Sequence, residues 1–554
     1  MYITPQTNIR LLRGCPCDPE YINSLYFASA TAQRDYFITL SKYNLNSYSY
    51  QRYSKGILRV EILADNLYDV NYMMFQNTAF GNKWFYAFVD NVEYINDKTS
   101  EIRYHIDEIQ TWMFDWTFNQ CFVERQHTAT DAIGDSITFE PVEVGEYVYN
   151  SYQELNLFSD QAIVVAVTNV NSSSEFIADG EMYDGVYGAC QLFAYSTTTT
   201  GVRKVNDKIN EFSSNPDAVV SIYMIPADLL PVGSIDSDNT LPYGESGMPH
   251  YGETLDSIGT DIDGYTPKNN KLFTYPYNFQ NISNGEGQAL ALRYEFFKDN
   301  ISKVNIFGCI TQPVQLVCCP TDYKNVNKPE GASTYPSYVD EKLVLSGFPV
   351  CSWNIDTWRA WVSQNAMPMI ISGVATGATL ALAAYNPAVT KEVTSSILTA
   401  SGQAMTQTET TPASFNPDKL LGGAGIHQVS NMLTSMYKAS IAADQTKGNL
   451  SSANALYAKG EYNFHHGRMS VNAQQAEIID NFFSRYGYAI NKITTPSIHT
   501  RTNWTYLKTN TCTINGNIPS DSEHIIEQIF NNGITFWTTP ANVGNYSLSN
   551  VPLS

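Results

Sequence analysis

The amino-acid sequence predicts a mainly β protein with α+β elements, and three observations predict it. Short aromatic and β-branched runs, broken by Asn, Asp and Gly, recur from Tyr36 to Phe122 and again from about residue 131 to 350, as strands joined by turns do. The composition is polar and aromatic, with 13% Phe, Trp and Tyr and only 16% charged residues, which suits a pleated, half-buried surface. The last hundred residues switch twice to a helical spacing of apolar positions, so helices accompany the strands.

In chain order, Gly56 to Leu63 and Lys83 to Val89 read as strands of an N-terminal part spanning residues 1–130. A middle part, 131–358, holds Ala162 to Val167 as a strand of the fully buried type and Val219 to Ile225 as another. Val232 to Asn270 is dense in Gly, Pro, Asp and Ser and reads as a long exposed loop. A third part, 359–450, is rich in Ala, Gly, Ser and Thr. The C-terminal part, 451–554, returns to globular patterning. There Ile478, Ile479, Phe482, Phe483 and Tyr486 share helical spacing before a stop at Gly487. Ser520-Asp-Ser-Glu523 has capping-box spacing ahead of Ile525, Ile526, Ile529 and Phe530, with Gly533 as the stop. Strands around Thr511 to Asn515 and Ile534 to Trp537 flank this second helix. No period of 20 to 50 residues is visible, which disfavours solenoids and propellers, and Thr197 to Thr200 is the longest homopolymer run.

The third part stands apart. Between Arg359 and Lys391 there is no charged side chain, a length sufficient for a helix to span the ~30 Å apolar core of a bilayer. Its chemistry is small rather than greasy, so a lone permanent anchor is disfavoured. Gly373-Val-Ala-Thr-Gly377 has the small-xxx-small spacing that lets helix backbones approach closely. Three readings stay open from the residues alone: a buried helical hairpin or low-complexity loop, a segment that enters a membrane conditionally, and a constitutive anchor.

Charge and motifs narrow the function. The chain has 33 Lys and Arg against 54 Asp and Glu, a net charge of −21, and phosphate affinity needs an excess of cations. Such a surface repels DNA and would let it slide past. The nine cysteines are scattered without C-x-x-C spacing, as reduced thiols of a cytoplasmically made protein are. Met1-Tyr-Ile-Thr-Pro5 lacks the basic and apolar regions of a signal peptide. Asp107 with Glu108 and Asp261 with Asp263 are carboxylate pairs without diagnostic spacing. Gly244-Glu-Ser-Gly247 is one residue short of a nucleophile elbow and lacks its strand-turn-helix setting. Adjacent His465 and His466 cannot mimic two ligands one helical turn apart, and there is no phosphate-cradling glycine loop. Asn281-Ile-Ser283 matches a glycosylation sequon, a pattern common by chance. No catalytic, metal-ligating or cofactor-binding residues are assigned, and no cofactor is expected.

Three blocks go further than composition. Met74-Phe-Gln-Asn-Thr-Ala-Phe-Gly-Asn-Lys-Trp-Phe-Tyr-Ala-Phe-Val89, Ile106-Asp-Glu-Ile-Gln-Thr-Trp-Met-Phe-Asp115, and Phe482-Phe-Ser-Arg-Tyr-Gly-Tyr488 with Asn531-Asn-Gly-Ile-Thr-Phe-Trp537 together resemble the tail-knob proteins of Picovirinae, short-tailed phages of Gram-positive bacteria. The likeness covers roughly residues 1–130 and 460–554. The resemblance implies a tail-tube-like β-barrel domain assembled from both chain ends, an inserted β-rich domain and a long apolar loop. It also implies a homo-oligomer, six copies around a channel, in a virion tail tip with other tail proteins. On this resemblance the loop plugs the channel and later enters the host cytoplasmic membrane as a passage for DNA, which crosses the lumen without specific binding. The residues assigned to that plug are Met367, Met369, Ile370, Ile371, Gly373, Val374, Gly377, Leu380, Leu382, Tyr385, Leu420 and Leu421. Two alternatives stay open: a tail-associated enzyme degrading cell-wall glycans, motivated by many carboxylates and aromatics, and a receptor-binding adhesin housed in residues 131–350.

Overall fold

The computed structural model describes residues 6–48, 56–155, 160–168, 182–183, 186–187, 190–212, 218–231, 233–241, 251–285, 287–310, 315–324, 341–345, 352–353, 355, 358 and 463–553. The chain folds as two compact units. Unit 1 comprises 1–146, 260–277 and 471–554, and unit 2 comprises 147–259 and 278–470. Described elements are mostly strands, in agreement with the mainly β expectation.

Unit 1 begins with β1 (Thr7–Arg13), β2 (Asn23–Leu25), helix α1 (Ala30–Thr39), β3 (Ser41–Tyr48), β4 (Ile57–Val60), β5 (Val70–Gln76), β6 (Phe85–Asn96), β7 (Thr99–Ile106), helix α2 (Glu108–Trp112), β8 (Trp116–Phe118) and β9 (Cys121–Gln126). One sheet runs β3-β1-β5-β6-β7-β4. Its edge strands β3 and β4 are consecutive in the chain, a connectivity suited to a sheet curled toward a barrel. Alternation sets its buried face: Ile9, Leu11, Leu58, Val60, Met73, Phe75, Ile102 and Tyr104 form one core cluster.

The second sheet joins the two chain ends. Its order is β2, Ile534–Trp537, Trp504–Asn510, β9 and Tyr488–Thr494. β2 pairs in parallel with the last strand, Ser24 facing Phe536. Two helices with one apolar stripe each accompany it. In Ala473–Tyr486 the stripe is Ala476, Ile479 and Phe483, while Ile478 faces out at 55% exposure. Asn472 caps this helix through its side chain and Gly487 ends it. In Ser520–Asn532 the stripe is Ile526, Ile529 and Phe530, and Gly533 follows. The capping box expected at Ser520 is corrected: Ser520 is already helical, the N-cap is Pro519, and it provides no side-chain bond. Proline just outside the first turn fixes an extended entry, and Asp521 and Glu523 oppose the positive helix end instead.

Among the described residues of unit 2 there are three sheets of four or more strands. Gln161–Thr168 lies between Cys190–Ser196 and Val219–Pro226, with Ser352–Trp353 at the edge. Both its faces are buried, as its continuous apolar run foretold: Ile163, Val165 and Val167 pack with Val202, Val205, Ile209 and Trp358, while Ala162, Val164 and Ala166 join the other cluster. The helix Thr199–Glu211 was not anticipated. Thr198, inside the Thr run, caps it by accepting from Gly201 N at 3.2 Å, and Val202, Val205 and Ile209 fall on one face. The long exposed loop expected over 232–270 is also corrected. Tyr251–Ser257 is a strand pairing with Ile301–Cys309, and Ile262 and Asn269 are buried. Gly, Pro and Asp there punctuate short elements rather than fill one loop.

Candidate functional site

The twelve residues assigned to the plug, and the whole run 359–450 that contains them, lie outside the described residues, as does Gly244 to Gly247. Within unit 1, segments far apart in sequence are stitched by buried polar groups.

The deepest stitch centres on Glu140, in the irregular segment after β9. Its carboxylate, fully buried, contacts Arg125 of β9 and Lys271 of the 260–277 excursion, and accepts from Ala489 N at 2.8 Å. Arg125 also donates to Gly487 O at 2.6 Å and lies 4.6 Å over the Phe482 ring. Lys271 donates to Thr138 O at 2.8 Å. One anion thus meets two cations and a backbone donor, which offsets the cost of taking all three charges out of water.

The same excursion is fastened by Asp480, buried on the helix Ala473–Tyr486. It accepts from Asn269 N, Asn269 Nδ2, Tyr265 Oη and Lys268 N at 2.7 to 3.1 Å. Asp131 accepts from Tyr488 Oη, and Asn270 Nδ2 donates to Asp131 O at 2.7 Å. Asp107 caps α2 by accepting from Gln110 N at 3.0 Å and also accepts from Tyr72 Oη at 2.8 Å. Burial pushes its carboxyl up to about 6, opposed by those bonds. Gln110 donates to Ser24 Oγ and Leu25 O and accepts from Gln33, tying α2 to β2 and α1. At the chain ends Trp504, Trp537 and Tyr546 pack in tilted and edge-to-face contacts with centroids 5.1 to 5.3 Å apart. Trp504 Nε1 donates to Ser484 O and Trp537 Nε1 to Asn23 Oδ1, both at 2.8 Å.

His127 shows the same use of polarity. Its Nε2 lies 3.2 Å from Ser484 O and its Nδ1 accepts from Tyr506 N at 2.8 Å. A ring that accepts at one nitrogen must be neutral. Burial, with Arg501 nearby, pulls its pKa down to about 3. The unfolded chain therefore binds a proton near pH 6.5 that the folded chain refuses until about pH 3. Stability present above pH 6.5 is lost as pH falls through that window, by about 1.4 kcal/mol per unit. Urea melts at stepped pH are expected to fall more steeply for the native protein than for His127→Gln.

None of this is reaction machinery. Asp107 is a helix cap, Asp261 and Asp263 accept backbone N–H groups of Gly264 and Ala473, and His465 and His466 are buried neighbours on one strand. Among the described residues no group of His, Cys, Asp or Glu is arranged to hold a metal, and no helix is long and apolar enough to cross a membrane. Sequence reasoning singled out Asp107 only as an undiagnostic carboxylate and missed Glu140, Lys271 and Asp480. Nothing in their spacing separates them from surface charges.

Comparison with known proteins places this body. Residues 5–117 match the family described as Caudoviral major tail protein N-terminus, so the six-stranded body is of a kind used in phage tails. Residues 244–551, more than half the chain, match the family described as Bacillus phage phi29 tail knob protein gp9, C-terminal domain. The chain belongs to this tail knob family. The tail knob proteins gp9 of Bacillus phages phi29 and PZA are each 25% identical to it, and that of phage B103 is 23% identical, over 98% of this chain and 98% of each relative. The solved tail knob protein gp12 of bacteriophage C1 shares the fold, with a TM-score of 0.57 and 13% identity over 99% of this chain and all of that one. The cell-wall hydrolase alternative finds no support in these names.

Proposed function

We propose that this chain forms the knob at the tip of a short phage tail as a closed tube of six copies. Its apolar loops plug the channel and, on infection, enter the host cytoplasmic membrane to make a conduit for the genome. The protein is assembled in the host cytoplasm, resides in the virion with other tail proteins, and reaches the host membrane only transiently. The observation that carries this reading is the uncharged run between Arg359 and Lys391, inside a chain of net charge −21 that aligns end to end with tail knob proteins.

The physics supports a stored segment. Small residues such as Gly373 and Gly377 let several copies pack closely inside a narrow tube, shielding Met367, Met369, Ile370, Ile371, Val374, Leu380, Leu382 and Tyr385 from water. Leu420 and Leu421 extend the apolar content beyond Lys391. Release exposes these side chains, and burial in a bilayer then becomes favourable. The acidic balance of the chain keeps DNA from binding the lumen while it passes.

Calcein leakage from liposomes tests this directly. The intact protein is expected to release dye, and a variant with residues 362–450 replaced by a short Gly-Ser linker is expected to release none while keeping the same mass in solution. Equal silence from both would overturn membrane entry and leave the run as a plug alone.

A further inference from the structure

Cys121 opens β9, and Cys512 lies in the turn between the strands Trp504–Asn510 and Ile514–Gly516. Phe122 faces Asn510 on one side of this turn and Phe118 faces Ile514 on the other. The two antiparallel ladders keep one pairing frame across the gap, which sets Cys121 opposite Thr511, and the left-handed Thr511 (φ 64°) breaks the strand's alternation so that Cys512, the next residue, is buried beside it. Asn119 N donates to Thr513 O at 3.0 Å inside the gap. Asn531 Oδ1 holds Cys512 N at 3.0 Å. Each thiol is close enough to shift the other's acidity, and both are buried, Cys512 within the cluster of Trp116, Ile514 and Phe530. They are joined by no disulfide in this structure.

We propose that Cys121 and Cys512 are a modification site, forming an intramolecular disulfide when the protein meets a peroxide outside the reducing cytoplasm. The bond would tie β9, from the N-terminal part of unit 1, to the C-terminal strands that complete its second sheet. Its timing rests on the virion reading, because only a particle that leaves the cell changes redox environment; the bond itself does not.

The chemistry balances. The Cys121 thiolate attacks one oxygen of hydrogen peroxide, the O–O bond breaks, and hydroxide leaves and is protonated to water, giving a sulfenic acid. The Cys512 sulfur then attacks the Cys121 sulfur, the S–O bond breaks, and a second water departs with the Cys512 proton. Two thiols are oxidised by two electrons and one peroxide is reduced. Cys121 is the better first nucleophile: burial raises its thiol, but Thr513 and Cys512 both stabilise its anion, whereas burial pushes Cys512 up to about 12. Because the thiolate reacts, formation is slow at neutral pH and quickens about tenfold per unit as pH rises toward 9.

The test uses the full chain, reduced, desalted, exposed to hydrogen peroxide at pH 8.5 and alkylated before digestion without reductant. The expected result is a peptide containing Cys121 linked to one containing Cys512, reversed by dithiothreitol and absent in Cys512→Ser. The native protein alone decides the matter if that variant fails to fold. Alkylated, unlinked Cys121 and Cys512 after peroxide would overturn the proposal, as would a link confined to the buried neighbours Cys15 and Cys17.

Discussion

Glu140→Gln is expected to destabilise unit 1 by about 3 to 5 kcal/mol, the range for breaking a buried ion pair by removing one partner. The amide keeps the shape and can still accept from Ala489 N, but Arg125 remains inside with its charge unpaired, while Lys271, already pulled down to about 7 by burial and by Arg125, gives up its proton. The penalty is an uncompensated buried charge rather than a lost contact, so shape conservation does not rescue it. Denaturant melts measure it, with Glu146→Gln, an exposed position on the same segment, expected within about 0.5 kcal/mol of the native protein. A loss below 1 kcal/mol for Glu140→Gln would mean that water reaches the site.

Gly487→Ala is the second large effect. Gly487 ends the helix Ala473–Tyr486 at φ 64°, ψ −152°, a conformation nearly restricted to glycine. An added Cβ would stand 2.4 Å from the backbone carbonyl of Gln126 and 2.5 Å from His127 N. The obstacle is β9 itself, pinned in the second sheet between two strands, so it cannot give way cheaply. Strain and overpacking together are expected to cost about 3 to 6 kcal/mol. Gly264→Ala, at φ +83° with open space around the new Cβ, is expected to cost only about 1 kcal/mol for the backbone conformation. The difference between the two melts isolates the clash.

These positions show what sequence could and could not reveal. Strands such as Gln161–Thr168 and Ile534–Trp537 were legible because burial demands continuous or alternating apolar residues, and Gly487 and Gly533 were legible because helix ends need such residues. The partner of each strand was not. β2 pairs beside Ile534–Trp537 although more than five hundred positions separate them, and no local rule encodes that contact. The helix Thr199–Glu211 carried its signal in Thr198, Val202, Val205 and Ile209, but a strand-rich surrounding pattern masked it. The return of 260–277 to unit 1 depends on Asp480, a buried acid in a helix whose sequence reads as surface.

For the candidate site the order is reversed. The uncharged run from Ala360 to Thr390 was the most visible feature of the sequence, because a chain otherwise rich in polar groups leaves no ordinary reason for it. The polar seam that holds unit 1 together was invisible, since Glu140 and Lys271 acquire meaning only once the fold brings them together.

The most direct test is single-particle imaging of the purified full chain, with its mass in solution, beside the variant lacking residues 362–450. Rings of six copies with a closed channel for the intact protein, and rings of the same size with an open channel for the variant, are the predicted result. Monomers at micromolar concentration, or channels equally open in both, would contradict a plugged tube.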